Sequence, residues 1–161
     1  MVYHRNNEYQ KALDNYHKAL TIFVDQLGAD HPETAMAYVN LAAIYSTKSK
    51  VFIADDCKTA LEYYNKALTV FKKTFGEDHP MTIDVLKNIA GIYKRFAGAY
   101  GSQSDFKEAL EWLARAFALY ETIFGTDHPE TTDILKMLKT YYVADCGAED
   151  GFVSWLKSKL A

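Results

Sequence analysis

Three histidines stand at matched positions, each between an aspartate and a proline: Leu27-Gly28-Ala29-Asp30-His31-Pro32, Phe75-Gly76-Glu77-Asp78-His79-Pro80 and Phe124-Gly125-Thr126-Asp127-His128-Pro129. Imidazoles repeated this way suggest metal ligation, which requires the ligands to converge to about 2 Å from one ion. Residues one helical repeat apart are instead separated by a helix-packing distance of about 10 Å. The expectation is therefore no metal, with each histidine a helix-start residue that hydrogen-bonds locally. His4 and His17 have no partners at catalytic spacing. Gly98, Gly101 and Ser102 are expected to make a turn between helices; no strand precedes them and no lysine stands at the place a phosphate loop needs. No nucleophile–base pair or paired carboxylates stand out, so the sequence reads as a non-enzyme with no cofactor. Cys57 and Cys146 lie far apart without a CxxC spacing, which favours a reduced, intracellular (cytoplasmic) setting. Cys57 matches Tyr9 and Phe106 in the other copies and reads as a small apolar filler.

The elements that carry these residues follow from the repeat. The three glycines are 48 and 49 residues apart, a period typical of stacked arrays whose units cannot bury their apolar faces alone. Upstream of each glycine runs an apolar ladder spaced 4, 3, 1, 3, 4, which stays on one face of an α-helix. It reads Ala12, Tyr16, Ala19, Leu20, Phe23, Leu27, then Ala60, Tyr64, Ala67, Leu68, Phe71, Phe75, then Ala109, Leu113, Ala116, Phe117, Tyr120, Phe124. The alanines let a neighbouring helix approach closely, and each glycine supplies the left-handed residue that ends the helix. The next helix starts at the proline, whose missing N–H costs nothing in a first turn. Asp30 with Glu33 and Asp127 with Glu130 fit a capping box, with Asp or His as the cap. A second ladder follows: Tyr38, Leu41, Ala42, Ile44, Tyr45, then Leu86, Ile89, Ala90, Ile92, Tyr93, then Leu135, Leu138, Lys139, Tyr141, Tyr142. Lys139 replaces the small alanine, so the array is expected to end there. Gly147 and Gly151 then break the chain before Phe152, Trp155, Leu156 and Leu160, one face of a terminal capping helix.

Helix pairs with Leu-Ala-x-x-Tyr on the first helix and Ala-x-x-x-Tyr-x-x-Ala on the second resemble tetratricopeptide repeats. The longer pattern, Ala-Leu-x-x-Tyr-x-Lys-Ala-Leu-x-x-Phe with Gly-x-Asp-His-Pro-x-Thr, is similar to the repeats of kinesin light chains and their relatives, over about residues 3–142. From first-helix tyrosine to second-helix alanine, Tyr3 to Ala12 spans nine positions, but Tyr45 to Ala60 spans 15 and Tyr93 to Ala109 spans 16. The six and seven additional residues belong to the hairpin tips. In this register Tyr3 ends a first helix, and the chain opens part-way through a repeat.

The expected architecture is an all-α, TPR-like helical-hairpin solenoid of about seven helices. It forms one domain over 1–161, with repeat segments about 1–28, 29–76, 77–125 and 126–145 and a capping helix about 150–160. Hydrophobic residues at 49% suffice for its core. With 18 Lys+Arg against 21 Asp+Glu, the net charge of −3 gives no electrostatic case for nucleic acid. No apolar run reaches the roughly 20 residues of a membrane span, and the residues ahead of the first repeat are not expected to act as a signal peptide.

The resemblance implies a protein-binding adaptor whose first helices line a concave groove. Asn40 and Asn88 occupy the groove position that can bind peptide backbone; Met137 replaces the asparagine at the third site. Lys87, Lys94, Arg95, Lys136 and Lys139 would add positive charge along the same side, suited to an acidic extended peptide. The rival surface is the hairpin tips, with Val51 and Phe52 beside Lys48 and Lys50 in one and Tyr100 in the next. There, extra helical turns packed on each other compete with an exposed partner surface. Two other functional classes stand beside the adaptor: a building block of a larger complex that uses edges and tips, and a peptide-sensing regulatory module.

Overall fold

The structure, a computed structural model, describes residues 2–47 and 54–160. Seven α-helices and no strand occur among the described residues: α1 (Val2–Leu27), α2 (Pro32–Thr47), α3 (Ala54–Phe75), α4 (Pro80–Ser102), α5 (Phe106–Phe124), α6 (Pro129–Cys146) and α7 (Phe152–Leu160). Val51 and Phe52, with Lys48, Lys50 and Ile53, lie outside the described residues.

The glycine and histidine signals end and start helices as their chemistry requires. Gly28, Gly76 and Gly125 have φ of 89°, 95° and 83°, and their N–H groups close the last turn on Val24, Lys72 and Glu121. Gly125 departs from the expected left-handed cap. Its ψ of 168° places it in a region that is essentially glycine-only. The caps of the following helices are the histidines, not the aspartates. Nδ1 of His31, His79 and His128 accepts the N–H of Glu33, Met81 and Glu130 at 3.2, 3.2 and 3.3 Å. His79 and His128 also stack on Phe75 and Phe124, at 4.6 and 4.3 Å between ring centroids. A planar imidazole does both at once, capping with its edge and packing with its face. Asp30 instead reaches across to Lys73 at 3.3 Å, an exposed pair worth little.

A further contact at these turns involves the threonine of the motif. The fully buried Thr34 and Thr82 donate their hydroxyls to the Gly28 and Gly76 carbonyls, both at 2.8 Å, tying each helix start to the preceding helix end. Thr131, equally buried at the third turn, has no partner for its hydroxyl.

The chain divides into two compact units, Met1–Leu86 and Lys87–Ala161. In the first, α2 packs along α3 and also against α1. Its core is Leu13, Ala35, Tyr38, Leu41, Ala42, Cys57, Ala60, Tyr64, Ala67 and Phe71. Cys57 is the buried filler that its register implied. The expected break between Tyr3 and Ala12 is absent, because α1 runs unbroken from Val2. No glycine or proline interrupts Tyr3–Ala12, so local helix propensity carries the helix through where family register placed a turn.

In the second unit, Ala90 and Ala97 of α4 meet Leu113, Ala116 and Phe117 of α5, and Ile134, Leu138 and Tyr142 of α6 complete the same core. Each large side chain buried there contributes about 1.5–3 kcal/mol. The residues added at this hairpin lengthen α4, so Gly98, Gly101 and Ser102 are helical rather than the expected turn, which falls at 103–104. Phe96 and Ala97 are buried in the added turns, and Phe96 stacks on Trp112 at 4.4 Å. Tyr100 sits half-buried near the end of α4, where its carbonyl accepts the N–H of both Gln103 and Asp105. A Cβ at Gly101 would lie 2.5 Å from the Tyr141 hydroxyl, so a larger residue there would push that ring aside.

Gly147, at φ 77°, caps α6 in the left-handed conformation, and α7 then folds back as a cap. Tyr142 meets Phe152 edge-on at 5.4 Å and Trp155 at 5.5 Å, and Lys159 pairs with Glu111 of α5. Leu160 remains 38% exposed, so the capping face is Phe152, Trp155 and Leu156. It falls one turn short because α7 ends there.

Candidate protein-interaction surface

The polar residues of α4 are set by its register against α5. Positions 89, 90, 93 and 97 face inward, which turns Lys87, Asn88, Lys94 and Arg95 toward the flanks. Asn88 is exposed, and Lys87, Lys94 and Arg95 are half-buried. Lys87 Nζ lies 5.2 Å from the Phe124 ring centroid, and Lys94 Nζ lies 5.5 Å from that of Tyr120. The two rings are one turn apart on α5 and in mutual contact at 5.6 Å. Each cation–π contact is worth about 0.5–1 kcal/mol at an exposed site. It also orients a long side chain that would otherwise sample many rotamers.

Tyr120 is itself held neutral. Burial and its hydrogen bond to the Glu130 carboxylate, with that group's negative charge, push its pKa up to about 12. The two aromatic seats were not legible as partners of the lysines in the sequence. Their common i, i+4 spacing marks only a buried stripe.

The lysines of α6 are engaged differently. Lys136 pairs with Asp133 at 3.0 Å and Lys139 with Glu149 at 2.9 Å. Met137 between them is half-buried against the core. Asn40 is half-buried on α2 in the first unit. Lys87, Asn88, Lys94 and Arg95 therefore share one helix, and Lys136 and Lys139 share another in the same unit.

A second cluster, in the first unit, was missed by sequence reasoning. Tyr38 and Tyr45 each stack on Tyr63 at 6.0 Å, and Lys66 Nζ lies 5.4 Å from the Tyr63 ring. His17 Nε2 is 3.4 Å from the Tyr45 hydroxyl. Burial, then the neighbouring Tyr45, Glu62 and Tyr38, raise the pKa of the Tyr63 phenol. The four rings come from three helices, and only the i, i+7 spacing of Tyr38 and Tyr45 hinted at the assembly.

Among the described residues no helix is long and apolar enough to cross a membrane, and no three His, Cys, Asp or Glu side chains converge as a metal site would need. Comparison with known proteins agrees with the repeat. Tetratricopeptide repeat models match residues 1–50 and 52–100, and a second such model matches residues 89–130. No curated protein matches the chain. Among solved structures, a kinesin-light-chain-type protein of Podosopora anserina with nearly identical TPR-like repeats is similar. It has 20% identity and a TM-score of 0.51, and the match covers 98% of this chain and 66% of that one. BtubC (BKLC) from P. vanneervenii is similar at 22% identity and TM-score 0.51, over 95% of this chain and 57% of that one. The chain thus spans about two thirds of the first relative and less of the second, and these likenesses fix the fold as a TPR-like helical solenoid. With the family models covering most of its length, the chain belongs to the tetratricopeptide repeat family.

Proposed function

We propose that this chain is a non-catalytic scaffold that holds an extended acidic segment of a partner protein along the polar face of α4. The observation that supports this most is the seating of Lys87 and Lys94 on Phe124 and Tyr120 beside the exposed Asn88. Ammonium groups held by aromatic faces are preset for carboxylates, and an amide side chain can donate to and accept from peptide backbone. Arg95 extends the basic strip. Lys136 and Lys139 add further basic groups on α6, each beside a carboxylate, Asp133 and Glu149. Asn40 offers the equivalent amide on α2. Residues 1–161 act in this proposal as one interaction domain that works inside the cell, binds protein and uses no cofactor.

The test is selection from a library of extended peptides of varied charge against the full chain. Sequences rich in Asp and Glu should be enriched, and their binding should weaken with salt, as expected for charges within a Debye length. The double variant Lys87→Glu/Asn88→Ala should weaken the selected peptides at least tenfold, about 1.4 kcal/mol. Unchanged binding by that variant removes α4 from the reading. The building-block alternative is favoured by one specific observation, the exposed apolar residues of α1.

A further inference from the structure

The middle of α4 holds a glycine that its packing does not call for. Gly91 lies inside the helix, where glycine is less favourable than alanine, and a Cβ built on it would meet nothing within 4 Å. Its counterparts in the other two copies, Ala43 and Thr140, both carry a side chain. At 3.6 residues per turn, Gly91 falls one turn from Lys87 and Asn88 on one side and one turn from Lys94 and Arg95 on the other, in the middle of the face those four share. Lys87 and Lys94 form one wall of this bare patch, and Asn88 and Arg95 form the other. The lysine wall is held by rings. Lys87 sits over Phe124 and Lys94 over Tyr120, and those ring centroids are 5.6 Å apart. The two lysines leave the helix two turns apart, about 10.5 Å, so their seats are closer together than their points of attachment. Among the described residues Lys94 makes no ion pair, and the Glu130 carboxylate is taken up by the Tyr120 hydroxyl. Like charges drawn together in this way favour a ligand with more than one negative charge.

We infer that the patch over Gly91 is a phosphate seat, which takes one phosphoserine or phosphothreonine of the extended partner segment. The inference rests on the α4 reading and names the group recognised there. A phosphate monoester carries about −1.5 to −2 charges at neutral pH and has three strong acceptor oxygens. One such group can accept from both lysines and from the planar fork of Arg95 at once. A carboxylate has one charge and two oxygens, so the same match would need two acidic side chains, each ordered at an entropic cost. Gly91 supplies the room. A tetrahedral group is bulkier than a carboxylate, and a side chain at position 91 would stand between the two walls. Asn88 remains available to the backbone of the segment. Charge complementarity selects this occupant, since an apolar or basic segment gains nothing from a seat walled by cations.

The probe is a fluorescent synthetic peptide in which one phosphoserine is flanked on each side by a glycine and two glutamates, titrated with the full chain. Comparison peptides carry glutamate or serine in place of the phosphoserine. The phosphopeptide should bind about tenfold or more tightly than the glutamate peptide, and inorganic phosphate at the peptide's own concentration should not displace it. Gly91→Leu fills the patch with a side chain that meets open space and replaces a glycine inside a helix. It should leave the melting temperature unchanged or higher while removing the preference for phosphoserine. Lys94→Gln, the second variant, should reduce that preference as well. Equal binding of the phosphoserine and glutamate peptides overturns the inference and leaves the acidic-peptide reading standing. Absence of binding by the phosphopeptide overturns it whatever sequences the library selects. So does a preference that survives both variants, or displacement by inorganic phosphate, which would make the free ion the occupant.

Discussion

The buried threonine at each helix start gives a comparison with an internal control. Thr82→Val keeps the volume and removes the donor to the Gly76 carbonyl, a 2.8 Å hydrogen bond made by a side chain with no solvent exposure. Losing one net hydrogen bond costs about 0.5–1.5 kcal/mol, and stranding the acceptor adds to this. Gly76 is only half-buried, so water can reach its carbonyl. The expected loss is therefore about 1–2 kcal/mol, and Thr34→Val should behave alike through Gly28. Thr131→Val removes a buried hydroxyl that has no partner, and should leave stability unchanged or raise it by up to about 1 kcal/mol. In a chain of this size 1 kcal/mol moves the melting temperature by about 2–4 °C. Thermal melts of the three variants by far-UV circular dichroism should thus show two falls of several degrees and one flat or upward shift. If Thr131→Val falls as far as Thr82→Val, the threonine acts through packing alone, and the hydrogen bond to glycine is not what holds the turn.

Two other outcomes follow from the second unit. Truncation after Asp150 removes Phe152, Trp155 and Leu156 from the faces of Leu138 and Tyr142, and should cost roughly 2–5 kcal/mol. An unchanged melting temperature in a monomeric truncated chain would show that α7 is no cap. Tyr120 makes stability fall at high pH. Its folded pKa of about 12 lies above the unfolded value near 10, so its contribution is complete below pH 10 and is lost as pH rises toward 12. A rise of that size corresponds to about 2.7 kcal/mol, which partial solvent access reduces to about 1–2 kcal/mol. Tyr120→Phe should flatten this part of the pH profile, measured as the difference between the two proteins' urea midpoints; parallel profiles would refute the assignment.

The apolar stripes and the helix boundaries at the three glycine-to-proline turns were determined by local sequence. Helical spacing, glycine at positive φ and proline in a first turn are conditions met within a few residues, and each recurs three times in register. The ladders of α3 and α5 and the filler role of Cys57 follow from that register alone. Tertiary structure decided what depends on groups distant in the chain or on competition between adjacent ones. His128 rather than Asp127 caps α6, because only the imidazole can also stack on Phe124. Lys87 and Lys94 gain aromatic seats from α5, and Lys136 and Lys139 gain carboxylates, although all four read alike as surface lysines. The Tyr38, Tyr45 and Tyr63 stack assembles from two helices. Tyr64 is sealed in α3 while its ladder counterpart Tyr16 is 36% exposed in α1, since burial belongs to the neighbours a helix has and not to its own residues.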